Sequence, residues 1–312
     1  MSNLQDLTDR LKYQARLIGF SKVGIAPAQS GMESQRLREW LDQGHHGDMA
    51  WMANPHRQDV QSLMVGVKSI VSVALNYYTP HAQSNDPDRG KISRYGWGKD
   101  YHKVMGKMLK QLCRWLEQQG DQVQTRFCVD TAPISDKAWA QRSGIGWIGK
   151  HSNVITKEYG SWVFLGEILT NLELIYDSPH PDRCGKCRLC IDACPTQAIV
   201  SPYVVSAPKC IAYHTIESRQ PDIPPEISSK MQNWVAGCDI CQEVCPYNRR
   251  PVHTTIADFH PYPHNLHPRL TDLAQMTETQ WDQQFRSSAL RRIKPQFWRR
   301  NAQAVISAHS PT

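Results

Sequence analysis

Two cysteine runs, each closed by a proline, constrain this chain more than any other feature. The first is Cys184-x2-Cys187-x2-Cys190-x3-Cys194-Pro195, the second is Cys238-x2-Cys241-x3-Cys245-Pro246, and Cys210 stands between them. In bacterial two-cluster proteins this spacing lets three thiolates of a run hold one [4Fe–4S] cluster while the fourth reaches a second cluster. The crossed rule gives Cys184, Cys187, Cys190 and Cys245 to one cluster, and Cys238, Cys241 and Cys194 to the other. The second run is one cysteine short, and Cys210 completes its set. Structural zinc sites usually pair two short Cys-x-x-Cys units, so they fit this pattern less well. Disulfides fit worse still, because nothing else in the chain suggests secretion.

The chain has 312 residues, 40% of them hydrophobic, which suits two globular domains or one large domain with an insert. The opening Met1-Ser-Asn-Leu-Gln-Asp has an early acid and no apolar stretch, so it does not read as a signal peptide. No run is long enough to span a bilayer. The expectation is a cytoplasmic monomer with no membrane contact. Net charge is +7, and from Arg249 onward there are nine Lys/Arg against four Asp/Glu. Arg286, Arg291, Arg292, Lys294, Arg299 and Arg300 fall close together there. They read as a solvated helix face or as a surface that contacts phosphates.

Leu4, Leu7, Leu11, Ala15 and Ile18 recur at helical spacing before Gly19, and a short strand from Lys22 to Ala26 follows. A second helix is expected from Glu33 to Gln43. The adjacent His45 and His46 read as polar surface, since no further ligands accompany them. Ser69 to Tyr78 should be a buried strand, and Tyr101 to Leu116 a helix with one apolar stripe. Cys113 and Cys128 read as core thiols. Asp130 stands directly after the strand Phe127-Cys-Val129, a place suited to catalysis or to an ordinary turn. Gly144 to Lys150 meets the glycine-lysine spacing of a phosphate loop, but His151 stands where a magnesium-binding hydroxyl belongs. The stretch reads instead as backbone kept bare so that something can approach it. Trp162 to Leu169 should be a strand, and the last fifty residues a proline-containing loop and two helical segments.

Two clusters in one small domain form an electron path, yet about 180 residues precede the first cluster cysteine, more than a carrier needs. The excess implies a site that receives the electrons. Here the chain resembles epoxyqueuosine reductases, cobalamin-dependent iron–sulfur enzymes that complete queuosine in tRNA. The resemblance rests on Asn76-Tyr-Tyr78, Ser93-Arg-Tyr95, Asp100-Tyr-His102, Val129-Asp-Thr-Ala-Pro133, Gly144-Ile-Gly-Trp-Ile-Gly-Lys-His151 and Phe164-Leu-Gly-Glu167. In the cysteine region it adds Cys184-Gly-Lys-Cys187, Lys209-Cys-Ile211, Thr215-Ile-Glu217 and Gly237-Cys-Asp-Ile-Cys-Gln242, and it closes at Arg291-Arg-Ile293.

The resemblance implies a mixed α+β or α/β cobalamin-binding domain over residues 1–175. A bacterial-ferredoxin-like two-cluster domain over 176–255 and a basic helical segment over 256–312 follow. It also implies two [4Fe–4S] clusters, cobalamin, a tRNA anticodon stem-loop carrying epoxyqueuosine, and an external electron donor of the flavodoxin or ferredoxin type. Asp130 maps onto the family's proton donor and should have a raised pKa against an apolar corrin face. Arg57, Gly96, Trp97, Asp130, Lys150, Ser152 and Asn153 are the expected cobalamin neighbours. The cluster of Cys184, Cys187, Cys190 and Cys245 is expected nearer the cofactor. No Asp-x-His-x-x-Gly arrangement is present, so cobalt needs no histidine from below. Longer members continue into a helical-repeat domain, whose RNA contacts do not carry over. Two other readings are a reductive dehalogenase-like enzyme and a non-catalytic electron-transfer module.

Overall fold

The computed structural model describes residues 2–29 and 31–309. Met1, Ser30 and residues 310–312 lie outside the described residues, so both ends of the chain as read above fall partly there. Helix α1 (Ser2–Ile18) ends at Gly19, whose φ of +110° is left-handed and suits glycine. Strand β1 (Lys22–Pro27) and helix α2 (Glu33–Asp42) follow as the periodicity predicts. Strand β2 (Ser69–Asn76) is buried along its whole length, as its Val/Ile content requires.

After the short β3 (Lys91–Ile92) comes helix α3 (Tyr101–Glu117). Asp100 caps it by accepting from His102 N at 3.0 Å. Its stripe of Val104, Met105, Leu109, Leu112 and Leu116 is buried, each large side chain contributing about 1.5–3 kcal/mol. The stripe packs on a sheet completed by β4 (Thr125–Cys128) and, after helix α4 (Asp136–Arg142), by β7 (Val163–Thr170). The strand order is β1-β2-β7-β4, antiparallel throughout. Core residues of α1, α3 and the sheet form one cluster, which Phe259 joins from the C-terminal segment.

Between α4 and β7 the glycine-rich stretch is a hairpin, β5 (Trp147–Ile148) against β6 (Val154–Ile155). A Cβ on Gly146 would collide with the Ile155 carbonyl. The bare backbone therefore admits a neighbouring strand and not a phosphate.

The second half contains α5 (Leu189–Asp192), the hairpin β8 (Ile199–Ser201) and β9 (Val204–Val205), α6 (Pro225–Ser228), β10 (Trp234–Ala236) and α7 (Ile240–Glu243). It ends in α8 (Pro263–Leu266), α9 (Leu270–Ala274), α10 (Glu278–Phe285) and α11 (Pro295–His309). Four helices stand where two were expected, because α8 and α9 are too short to show a period in sequence.

The expected boundaries at 175 and 255 do not separate cores. Strand β3 pairs in parallel with β10. Ile92 and Trp97 share one core with Ile211, Trp234, Phe285 and Trp298, so the last helical segment packs as part of that core. Phe285 and Trp298 stack with centroids 4.6 Å apart at its centre. No described helix is long and apolar enough to cross a membrane.

Candidate active site and cluster sites

The eight cysteines gather as two sets. Burial pushes Cys245 up to about 11, and Cys184, Cys190 and Cys187 beside it add to the effect. Burial likewise raises Cys241, with Cys210, Cys190 and Cys194 pushing the same way. Cys238 is raised by burial and then by Cys241 and Cys210. The chain therefore brings together Cys184, Cys187, Cys190 and Cys245, and separately Cys194, Cys210, Cys238 and Cys241. Cys190 and Cys241 stand where the sets adjoin. Cys190, Cys210, Cys238, Cys241 and Cys245, each raised by burial, are poor anions until bound iron supplies positive charge, so the donor chemistry fits two clusters. Among the described residues no three His, Cys, Asp or Glu side chains close around a point that one metal ion could fill.

Lys150, expected at the cofactor, points elsewhere. Its buried ammonium donates to the Gly185 carbonyl at 2.6 Å and the Cys187 carbonyl at 2.8 Å, strapping the first cysteine loop. Lys150→Met removes two charge-assisted bonds worth about 1.5–3 kcal/mol each at most. The expected result is a lower melting temperature and faster loss of iron from that loop, read by thermal denaturation and absorbance decay. Unchanged decay would leave the strap without a role.

Asp130 follows β4 with φ of +44°, a left-handed conformation that aspartate tolerates better than most residues. Its Oδ2 lies 3.2 Å from His102 Nε2, and His102 Nδ1 lies 2.7 Å from Asp100 Oδ1. The helix cap and the active-site relay are thus one aspartate. Burial opposes charge on His102, but Asp100 and Asp130 outweigh it and lift the imidazole to about 9. Burial also opposes charge on Asp130, yet His102 and Arg292 hold it below the usual carboxylate range. The expected rise at Asp130 is therefore not what the chain alone produces. A cationic histidine in hydrogen-bond contact overrides burial. Stability from His102 is complete below about 6.5 and fades as pH climbs through about 9, whereas that from Asp130 fades as pH falls. The side chain of Asp130 is 53% exposed, so its stability contribution is small.

Around Asp130 stand Tyr95 and Tyr101, both raised chiefly by burial and partly by its charge. Arg57 donates to Ile134 O at 2.8 Å, and its guanidinium lies 5.0 Å from the Trp51 ring. From the far segment Arg292 lies 5.9 Å from the same ring and pairs with Glu217. Lys137 donates to Asn153 Oδ1 at 3.2 Å. Asp136, Asp130, Cys241 and Cys210 all bear on the charge of Lys137. Two cysteines of the second set, Cys210 and Cys241, thus act on the charge of Lys137, whereas the expectation put the set of Cys184, Cys187, Cys190 and Cys245 nearer the cofactor. Ser152 donates to Tyr203 O at 2.9 Å at the edge of the hairpin.

Gly96 and Trp97 do not line the cleft. Trp97 is 1% exposed and donates to Ile92 O at 2.8 Å. A Cβ on Gly96 would strike Leu290. Both belong to the second core, and a side chain with no free surface cannot meet a cofactor. Trp51, His102, Asp136 and Lys137 were given no role from sequence. For His102 the signal existed in its place two residues after a helix cap.

The basic cluster is largely consumed internally. Arg286 and Arg291 each lie 2.6 Å from Asp282. Arg299 donates to Met276 O at 2.7 Å, and Arg300 donates to the His214, Ser218 and Gln220 carbonyls. Arg299 and Arg300 hold α11 in place and do not form an open phosphate surface.

A family model described as Epoxyqueuosine reductase QueG matches residues 57–131, and one described as a 4Fe-4S double cluster binding domain matches residues 183–248. Epoxyqueuosine reductase of Synechocystis sp. is 56% identical, covering 91% of this chain and 100% of the relative. That of Cellulophaga algicola is 42% identical over 96% and 98%. A crystal structure of epoxyqueuosine reductase with a tRNA-Tyr epoxyqueuosine-modified stem loop is 32% identical. It superposes with a TM-score of 0.91 over 98% of this chain and 82% of that one. A catabolic reductive dehalogenase, 15% identical with a TM-score of 0.50 over 80% of this chain and 33% of its own, shares the fold alone. With near-complete coverage at these identities, this chain belongs to the epoxyqueuosine reductase family.

Proposed function

We infer that this chain reduces the epoxide of epoxyqueuosine in tRNA to the alkene of queuosine. The observation that carries the reading is the Asp100–His102–Asp130 relay beside Lys137, on whose charge Asp130, Cys210 and Cys241 all act. The overall change consumes two electrons and two protons and releases water. Electrons reach the cleft singly through the two clusters. Cobalamin suits these residues chemically: the Arg57 Nε is buried without a partner among the described residues, Lys137 and Asn153 add polar groups suited to a rim of amides, and Tyr95 and Tyr101 offer aromatic edges. When bound, cobalamin supplies cobalt-centred reduction of the strained carbon–oxygen bond. Asp130 and His102 share the task of giving the departing oxygen its proton, and Asp100 orients the imidazole. Before substrate arrives the proton sits on His102. An epoxide oxygen at Asp130 draws it across.

Trp51 is 47% exposed between two guanidinium groups at the cleft mouth, a stacking platform for an anticodon base. Trp51→Ala should weaken stem-loop affinity about tenfold, since stacking is worth roughly 1–3 kcal/mol per base. Fluorescence anisotropy of a labelled stem loop checks this, and unchanged binding removes the platform. Leu189 and Tyr203, 42% and 41% exposed beside the first cysteine set, suit an external flavodoxin- or ferredoxin-type donor docking on a cytoplasmic monomer. The deciding experiment is anaerobic reconstitution with both cofactors and a reductant, incubation with epoxyqueuosine stem loop, and nucleoside analysis. Queuosine is expected, and recovery of intact epoxyqueuosine would overturn the reading.

A further inference from the structure

Glu167 lies at the centre of β7 with no exposed surface. Its strand neighbours are Ser72 of β2 and Cys128 of β4. Neither carboxyl oxygen has a hydrogen-bond partner among the described residues, and Oδ1 of Asp136, on α4, is likewise buried and unpartnered. The charged and titratable groups facing the pair are few. Cys128 faces Glu167 from β4, pushed up to about 12 by burial and then by Glu167. Asp130, Arg57 and the adjacent Lys137 face Asp136, and Tyr101 on α3 feels its charge. Burial and Asp136 both raise Glu167, and no cation acts on it.

Cofactor binding does not explain these oxygens, because Glu167 has no free surface for a cofactor to touch. A buried carboxylate without a cation is far costlier than a neutral acid. Two carboxyl groups facing each other in such a place cannot both ionise. They retain a proton.

We propose that Glu167 and Asp136 hold one proton between them at neutral pH, and that Asp136 passes it to Asp130 within each turnover. This rests on the epoxide-reducing reading. The reaction needs two protons on one oxygen, the first as the carbon–oxygen bond of the ring opens and the second as that oxygen leaves as water. The two electrons come through the clusters from the external reductant. After the first transfer Asp130 is a carboxylate. An O–H bond at the Asp136–Glu167 pair breaks and one forms on Asp130, which gives that proton to the departing oxygen; the pair and His102, the source of the first proton, each regain one from solvent. Asp136 is placed for this at the first turn of α4, six positions after Asp130 and within reach of its charge. Glu167 touches no substrate and acts only through Asp136.

Infrared spectroscopy of the cofactor-free chain at pH 7 tests the first half. A carboxylic-acid carbonyl band that shifts in heavy water is expected beyond the one Asp239 gives, whose carboxyl burial pushes up to about 7, and Glu167→Gln should remove it in the difference spectrum. The reconstituted enzyme tests the second half. In Glu167→Gln, queuosine formation should slow by about 10²-fold with KM unchanged. Its rate should also fall about tenfold per pH unit above neutrality, as solvent becomes the proton source. Absence of the band in the wild type, or its persistence in Glu167→Gln, overturns the shared proton. A band lost with rate and pH profile unchanged overturns the transfer to Asp130. If Glu167→Gln does not fold, Asp136→Asn, nearer the surface, carries both readouts. Should the wild type form no queuosine, the functional reading fails while the infrared band still decides the pair.

Discussion

Asp130→Asn is expected to slow epoxide reduction by about 10²–10⁴-fold, the range for loss of a positioned general acid. The amide has nearly the same shape and keeps a contact to His102, so folding and iron content should be unchanged. The imidazole loses one of the two carboxylates that lift it to about 9, so its pKa should fall toward the ordinary histidine value, measurable by NMR titration. Both effects together identify a proton-donating pair. Near-normal turnover with a shifted imidazole would show that Asp130 only sets the charge of His102.

Cys210→Ala should cost one whole cluster, lowering iron from about eight to about four atoms per chain. Cys210 is the thiol furthest from the regular spacing, yet it is packed with Cys194, Cys238 and Cys241. Because Cys210 and Cys241 of that set act on the charge of Lys137, as Asp130 does, activity should vanish with its cluster. Cys113→Ala is the control: a core thiol on α3, whose loss should lower stability while all iron remains. Full iron content in Cys210→Ala would break the assignment of the second set.

Local periodicity and spacing made much of this legible. The buried strands β2 and β7 and the stripe of α3 are short-range patterns, and the two cysteine sets follow from loop spacing that the fold preserves. What sequence could not give was direction. Gly96 and Trp97 sit in a motif near the cleft, but Trp97 turns into the core that Trp298 closes from two hundred residues away. Lys150 reads as a free cation until the carbonyls of Gly185 and Cys187 arrive from a distant loop. The arginines of the last segment read as an open patch because Asp282, Glu217 and the carbonyls that occupy them carry no sequence signal. The pairing of Glu167 with Asp136 depends on a strand centre meeting a helix start, which no local period encodes.

The pairing of β3 with β10 sets an order of events during synthesis. The antiparallel sheet with α1 and α3 can close once residue 170 has left the ribosome. Ile92 and Trp97 must wait, uncovered, for partners that emerge more than a hundred residues later, and the last of these is α11. Until then that core is incomplete, and the cysteine loops beside it lack the wall that α11 completes. Maturation of the metal centres is thereby given a window that the final helix shuts.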